Sequence, residues 1–435
     1  MLAAALVFTS CDEIKSFIDN PVSSYLEVNP ESVTLKVGEE KALEVTTISG
    51  QPISYTSSNK DVATVDEKGV ITAVSEGDAI ITVSVASTAT YAAGMKQVQV
   101  KVVPAIDPIL TTPLTIEAKA ENGATVSLKK SSNSLQLEKT IKYKKSTDTS
   151  WKDYAFNGLN GAEISLNKGE SVSFWSNNAA LAQKPSNSIH NSYFVISDEC
   201  YVYGNVMSMI DDQEGATAEN PKFSTDVEIG ASYAFYNLFQ RCKILNHESK
   251  ELVLPATTLS SYCYYGMFSR CEMLTKAPDL KAETLTRSCY SNMFYRCSSL
   301  TKAPDLKAKE LKDDCYRSMF SNCSSLTKAP EIAAETAAPY CCQTMFAWCS
   351  SLTKAPVLKA KKLEEGCYNA MFMGCYKLGS LTCLATDITA DYCVMGWLNS
   401  AGTQVEGDKI LYVDSSMTGA GWNPGGGWTV APAVN

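Results

Sequence analysis

The chain has 435 residues, 45% hydrophobic and 20% charged, the proportions of a folding, multidomain protein rather than a disordered or collagen-like one. Lys plus Arg number 38 against 47 Asp plus Glu, a net charge of -9 with no long basic run, which argues against a nucleic-acid groove or a polybasic membrane patch. Two histidines, His190 and His247, leave little for His-rich metal sites or a Ser-His-Asp apparatus, so no metal and no other cofactor is expected.

The opening MLAAALVFTSCDE is an apolar run that reaches Cys11 after the small Ser10 and then meets Asp12 and Glu13. It resembles a bacterial lipoprotein signal. The resemblance implies that Cys11 is acylated and anchors the chain at the outer membrane, facing the cell exterior or else the periplasm. Residues 1–23 are then signal and linker. No later apolar stretch approaches the roughly 18 residues of a membrane helix, so the lipid is the one membrane contact expected.

Residues 24–103 show strand alternation at Leu26 and Val28, Val33 to Val37, Leu43 and Val45, Val62 to Val65, Val70 to Val74, Ile80 to Val85 and Val98 to Val102. Turn signals separate them at the rhythm of a β-sandwich. The pieces SSN, VATVD, GVITA and EGDAIITV, in that order, resemble the bacterial immunoglobulin-like domain of group 2, which implies a spacer on a surface protein. Asp61, Asp66 and Glu67 are loop carboxylates without the cadence of a calcium loop, more simply read as solvated.

Pro104, Pro108 and Pro113 mark a junction. Strand signals at Leu114 to Ala118, Val126 to Leu128, Ile141 to Tyr143, Ile164 to Leu166, Val172 to Trp175, Tyr193 to Ile196 and Tyr201 to Tyr203 make residues 104–225 a β-rich domain. Preceding a repeat array, it is expected to cap the array's open end. Carbohydrate binding through exposed Trp151, Trp175 or Tyr193 is the alternative.

From residue 226 to 401 a unit of the form CYSNMFYRCSSLTKAPDLKAETL recurs every 26 residues. Its first cysteine falls at Cys263, Cys289, Cys315, Cys341, Cys367 and Cys393, and its second at Cys271, Cys297, Cys323, Cys349 and Cys375. Met293 and Phe294 typify a Met-Phe pair that keeps the same step, and the copies around Cys242 and Trp397 are degenerate, as array ends should be. Cys289, Met293 and Cys297 stand at i, i+4, i+8, a spacing that predicts one face of a short helix, followed by a turn and an extended piece at the Ala-Pro. The order of Met-Phe, second cysteine and Leu resembles the BspA-like leucine-rich repeats of bacterial surface proteins. The fold expected for the whole is therefore multidomain: an all-β immunoglobulin-like sandwich, a β-rich capping domain, an α/β leucine-rich-repeat solenoid, and a C-terminal cap over 402–435.

The two cysteine registers read as ladders of buried thiols, with disulfides between neighbouring units as the alternative in an exported protein. Lys276, Lys302, Lys328 and Lys354 also recur in step, with Asp279, Asp305 and Glu331 three places on. Stacked, they form basic and acidic rows that are either a solvated face or a ligand-reading stripe. Tyr264, Tyr290, Tyr316 and Tyr368 read as packing. No nucleophile-base, metal or phosphate-loop pattern appears. The function expected is non-enzymatic binding or adhesion, as the BspA-like resemblance implies, with a host matrix or cell-surface protein as partner and a glycan as the alternative.

Overall fold

The computed structural model describes residues 23–103, 108–135, 137, 139–184, 187–225, 227–419, 421–422 and 424–433. Cys11 and the signal read around it lie outside them. The chain divides into two compact units, Met1–Asp107 and Pro108–Asn435.

In the first unit the period-two pattern is realised as a sandwich. One sheet has the order Ser32–Lys36, Gly94–Val103, Gly77–Val85, Ile53–Ser57, its first pair parallel and the others antiparallel. Glu40–Ala42, Val70–Ala73 and Ala63–Val65 form a second sheet, and Glu27–Asn29 pairs with Glu44–Thr46. Alternate residues Ile81, Val83, Val98, Val100 and Val102 point into one core with Leu35 and Ile71. The turn before Val70 is fixed by Asp66, whose Oδ1 accepts from the amides of Lys68 (2.9 Å) and Val70 (2.8 Å). Gly69 is required there: its φ is +79°, and a Cβ would stand 2.8 Å from the Tyr55 ring.

The second unit begins as another two-sheet β structure. Leu114–Ala118 lies between Ser171–Ser176 and Cys200–Asn205, both antiparallel to it. Ala124–Lys130 pairs with His190–Ile196 in the other sheet, and Phe174 and Phe194 meet edge to face between the sheets at 5.0 Å. Neither sheet ends at the first repeat. Cys200–Asn205 continues in parallel onto Ile244–Leu245 and Leu252–Val253. Phe194 stacks on Phe239 at 5.0 Å, and its amide donates to the Leu238 carbonyl (2.7 Å). The strand His190–Ile196 thus stands where a preceding repeat would, and one core runs from Leu114 to Trp428.

The α/β solenoid is overturned. Among the described residues the helical segments are Pro108–Thr111 and the short 3-10 turns Val206–Met209, Phe223–Thr225 and Ser415–Met417, none within 227–401. The stretch CYSNMFYRC forms a chain of reverse turns instead. Ser288, Asn292 and Arg296 have positive φ (54°, 56° and 60°), and equivalents recur at Asp314, Ser318 and Asn322 and at Tyr340, Thr344 and Trp348. A left-handed residue every fourth position breaks an α-helical ladder. Amides accordingly alternate. Those of Tyr290, Asn292 and Phe294 donate to carbonyls of the next unit, at Cys315, Arg317 and Met319, while those of Ser291, Met293 and Tyr295 close turns onto the residue three before. Every backbone donor of the stretch is satisfied without a helix.

The four-residue period buries side chains in pairs, Cys289 with Tyr290 and Met293 with Phe294, then Cys297. Each meets its counterparts in the neighbouring units. Phe239, Phe268, Phe294, Phe320, Phe346 and Phe372 form one column of stacked rings with centroids 5.5 to 5.7 Å apart, within the range of offset stacking. Between the turns the units meet through isolated parallel bridges such as Leu306 to Ile332 and Glu310 to Thr336. Regular parallel pairing returns only at the end, through Val357–Leu358, Ser380–Cys383, Lys409–Val413 and Trp428–Pro432. Trp397 stacks on Trp422 there.

Candidate functional site

The in-step lysines sit on the extended pieces. Parallel bridges join Lys276 to Lys302 and Lys328 to Lys354, and the backbone makes this register by handing the Ala277 and Ala329 amides to the Lys302 and Lys354 carbonyls (3.0 Å each). Lys302, Lys328 and Lys354 are exposed, as are Asp279, Asp305 and Glu331. Asp305 Oδ1 accepts from the Glu331 amide (3.3 Å). Among the described residues no ion pair joins these lysines to these acids, so the charges face solvent rather than each other. A second row, Lys281, Lys307 and Lys359, is exposed on the same 26-residue step, with Ala333 as its gap. That gap breaks its recurrence in the sequence after two copies.

Lys276 differs from its counterparts. Half-buried, it donates to Glu251 Oε1 (2.7 Å), and that bond, with the nearby charge of Asp279, raises its pKa. It borders a cavity of about 150 Å³ with Asp279, His247, Lys250, Glu251 and Leu274. The His247 ring lies edge-on to Tyr201 and Tyr203 (4.9 and 5.6 Å), and its Nδ1 accepts from the Ser249 and Lys250 amides. Lys250 Nζ donates to Glu117 Oε2 (2.8 Å) and stands 4.4 Å over the Tyr203 ring. Burial pushes the Glu117 carboxyl up, but hydrogen bonds from Lys250 and Tyr203 outweigh it and hold the group below its ordinary value. Of these, His247, Lys250 and Glu251 come from the stretch between Leu245 and Leu259, which is three residues longer than in the other units. That irregularity was the one available signal for them.

Fifteen described cysteines are free and buried. In the second register each thiol has a fixed partner one unit back: Sγ of Cys271, Cys297, Cys323, Cys349 and Cys375 donates to the carbonyl of Phe239, Phe268, Phe294, Phe320 and Phe346 at 3.0 to 3.1 Å. Cys242 does the same to Phe194 (3.2 Å). In the first register Cys263, Cys289, Cys315, Cys341, Cys367 and Cys393 fill the core beside the Tyr264, Tyr290 and Tyr316 rings, which stack on one another. Burial pushes the Cys289, Cys297 and Cys349 thiols up to about 12. Such thiols are poor nucleophiles and poor metal ligands at neutral pH.

Of the aromatics considered for sugar binding, Trp175 is not exposed. It is 2% accessible and its Nε1 donates to Asp211 Oδ2 (2.8 Å). Trp151 and Tyr193 are half-buried on separate strands or loops.

Residues 24–95 match the family model of the bacterial Ig-like domain (group 2), the segment whose sandwich is described above. That domain is common in bacterial surface and adhesion proteins, and its presence is consistent with a cell-surface role. No curated protein matches the chain. Nothing in these comparisons supports a leucine-rich-repeat or BspA-like assignment for the repeats.

Proposed function

We propose that the chain is a bacterial surface protein that binds a protein ligand of the host matrix or a cell surface, without turnover, and that the Lys302, Lys328 and Lys354 row with Asp305 and Glu331 is its recognition stripe. The observation that carries this reading is the register: the same charges recur every 26 residues, exposed and unpaired with each other, on extended pieces that parallel bridges join at Lys276 to Lys302 and at Lys328 to Lys354. A charged row of this kind favours an extended partner with complementary charge and speeds its encounter. We further propose, from the sequence around Cys11, a lipid anchor in the outer membrane.

Both parts are open to direct tests. The purified full chain is passed over a panel of immobilised matrix proteins, beside a triple variant Lys302→Ser, Lys328→Ser, Lys354→Ser. The expected result is capture by at least one protein, weakened about tenfold or more in the variant and by added salt. Capture that ignores both changes would remove the stripe from the account. Labelled palmitate incorporated by the native chain and lost in Cys11→Ala checks the anchor.

A further inference from the structure

On the turn side of the repeats, away from the lysine rows in sequence, four tyrosines form a block. Tyr233 stacks on Tyr262 (5.0 Å between centroids, 12° between planes) and Tyr236 on Tyr265 (4.7 Å, 6°). The two columns lean together, Tyr262 and Tyr265 being 6.1 Å apart and tilted by 43°. One unit further on, both columns stop at once, because Ser288 and Ser291 occupy the equivalent positions. The backbone does not demand this. Ser288 has φ 54°, and Tyr262 and Tyr340 hold tyrosine at the same register with φ 59° and 54°.

The result is a surface depression of about 480 Å³ with Tyr262 and Tyr265 on one side and Arg287, Asp314 and Arg317 among its other walls. Asp314 is set low, its side chain 15% exposed. Its Oδ1 is 3.3 Å from Arg317 Nη1 and its Oδ2 3.9 Å from Arg287 Nη2, while both arginines are at least half exposed. Two guanidiniums on one carboxylate leave donors free for a ligand. Asn292 also lines it, its amide Nδ2 donating to Ser291 Oγ (3.4 Å).

We propose that this depression is a saccharide-binding site that takes a pyranose unit against the Tyr262 and Tyr265 rings. The missing rings leave a space the thickness of one stacked layer. A pyranose presents an apolar C–H face to tyrosine and hydroxyls around its edge. Those hydroxyls match the fork of Arg317 and Arg287 and the Asp314 carboxylate, while Ser288 and Ser291, 4% and 2% exposed, form the floor beneath them. An apolar side chain in the same place would cover these polar groups without satisfying them. The site lies on residues outside the lysine stripe and does not rest on the function proposed above.

The test uses the full chain on a printed array of neutral and uronic-acid pyranose oligosaccharides, with hits titrated calorimetrically. The filling variant Ser288→Tyr puts tyrosine at the register where Tyr262 and Tyr340 hold it; its unfolding midpoint is measured alongside, and Tyr265→Ala, which removes a ring without filling the space, is the second variant. Expected is retention of at least one oligosaccharide, with affinity falling about tenfold or more in Ser288→Tyr and in Tyr265→Ala, and unchanged in the triple lysine variant. Retention of no saccharide overturns the proposal, as does equal affinity in Ser288→Tyr. Binding to an aromatic peptide array that Ser288→Tyr abolishes, with no sugar retained, also overturns it and identifies a peptide site.

Discussion

The Sγ of Cys297 donates to the Phe268 carbonyl, and the same bond recurs at five other second-register positions including Cys242. The carbonyl already accepts the Cys271 amide within its own unit; the thiol takes up its remaining capacity. Cysteine suits this place as a small apolar group with one weak donor, which gives the spacing a reason other than cross-linking. The raised thiol values also fix a pH dependence. Cys289, Cys297 and Cys349 hold their protons up to about 12, against an ordinary 9.0. Below 9.0 both folded and unfolded chains are protonated and the burial contributes in full. As pH rises from there the unfolded chain ionises and the folded one does not, so stability falls by up to about 1.4 kcal/mol per pH unit for each such thiol. The unfolding midpoint is therefore expected to drop steeply between about pH 9 and pH 12, followed by circular dichroism. In the same native protein, Ellman's reagent at about pH 8 should find almost no reactive thiol, and concentrated guanidinium should release all of them without a reductant. A need for reductant would mean that bridges link the units.

At the level of the element, the turn run rests on residues that tolerate positive φ. Gly266 and Gly396 fill the central left-handed position in their units, Asn292 does so in another, and Ala370 sits there with φ 50°. Alanine in that conformation costs about 1–2 kcal/mol, partly offset by the smaller entropy it loses on folding. Ala370→Gly is expected to stabilise the second unit by roughly 0.5 kcal/mol, read as a higher urea midpoint at unchanged slope. A lower midpoint would mean that the Ala370 side chain matters more than its backbone. The same residues mark how far the sequence was legible. In the first unit Val98, Val100 and Val102 alternate with exposed neighbours over the second half of the strand Gly94–Val103, and period two has no rival reading there. In the repeats, three apolar residues four apart fit both a helix of 3.6 residues per turn and a turn run of period four, since the drift over two steps, about 80°, stays within a helical apolar stripe about 100° wide. Gly266, Asn292 and Gly396 in register were the discriminating signal, and they carry it only once units are compared by backbone conformation rather than by apolarity. The lysine row was readable from its 26-residue step; the cavity partners of Lys276 were not, because His247, Lys250 and Glu251 come from an insertion that has no counterpart in other units.

Among the described residues, the contiguous apolar cores are two and share no member, one from Leu26 to Val102 and one from Leu114 to Trp428. The second set joins the β-rich segment to the repeats, so the segment is part of the array's core rather than a lid laid over it. Phe194 is the clearest link: it is 1% exposed, meets Phe174 edge-on and stacks on Phe239. Truncating it leaves a cavity at the point where ring column and sandwich meet, a loss of about 3–5 kcal/mol. In a unit of this size that corresponds to roughly 5–15 °C. Scanning calorimetry of the full chain should resolve two transitions, of which Phe194→Ala lowers only the one belonging to residues 108–435. The matched change in the first core, Ile81→Val, should cost about 0.5–1.5 kcal/mol and lower only the other. A third transition in Phe194→Ala, with the repeats melting apart from residues 108–225, would show that the rings of Phe194 and Phe239 touch without making the two parts one cooperative body.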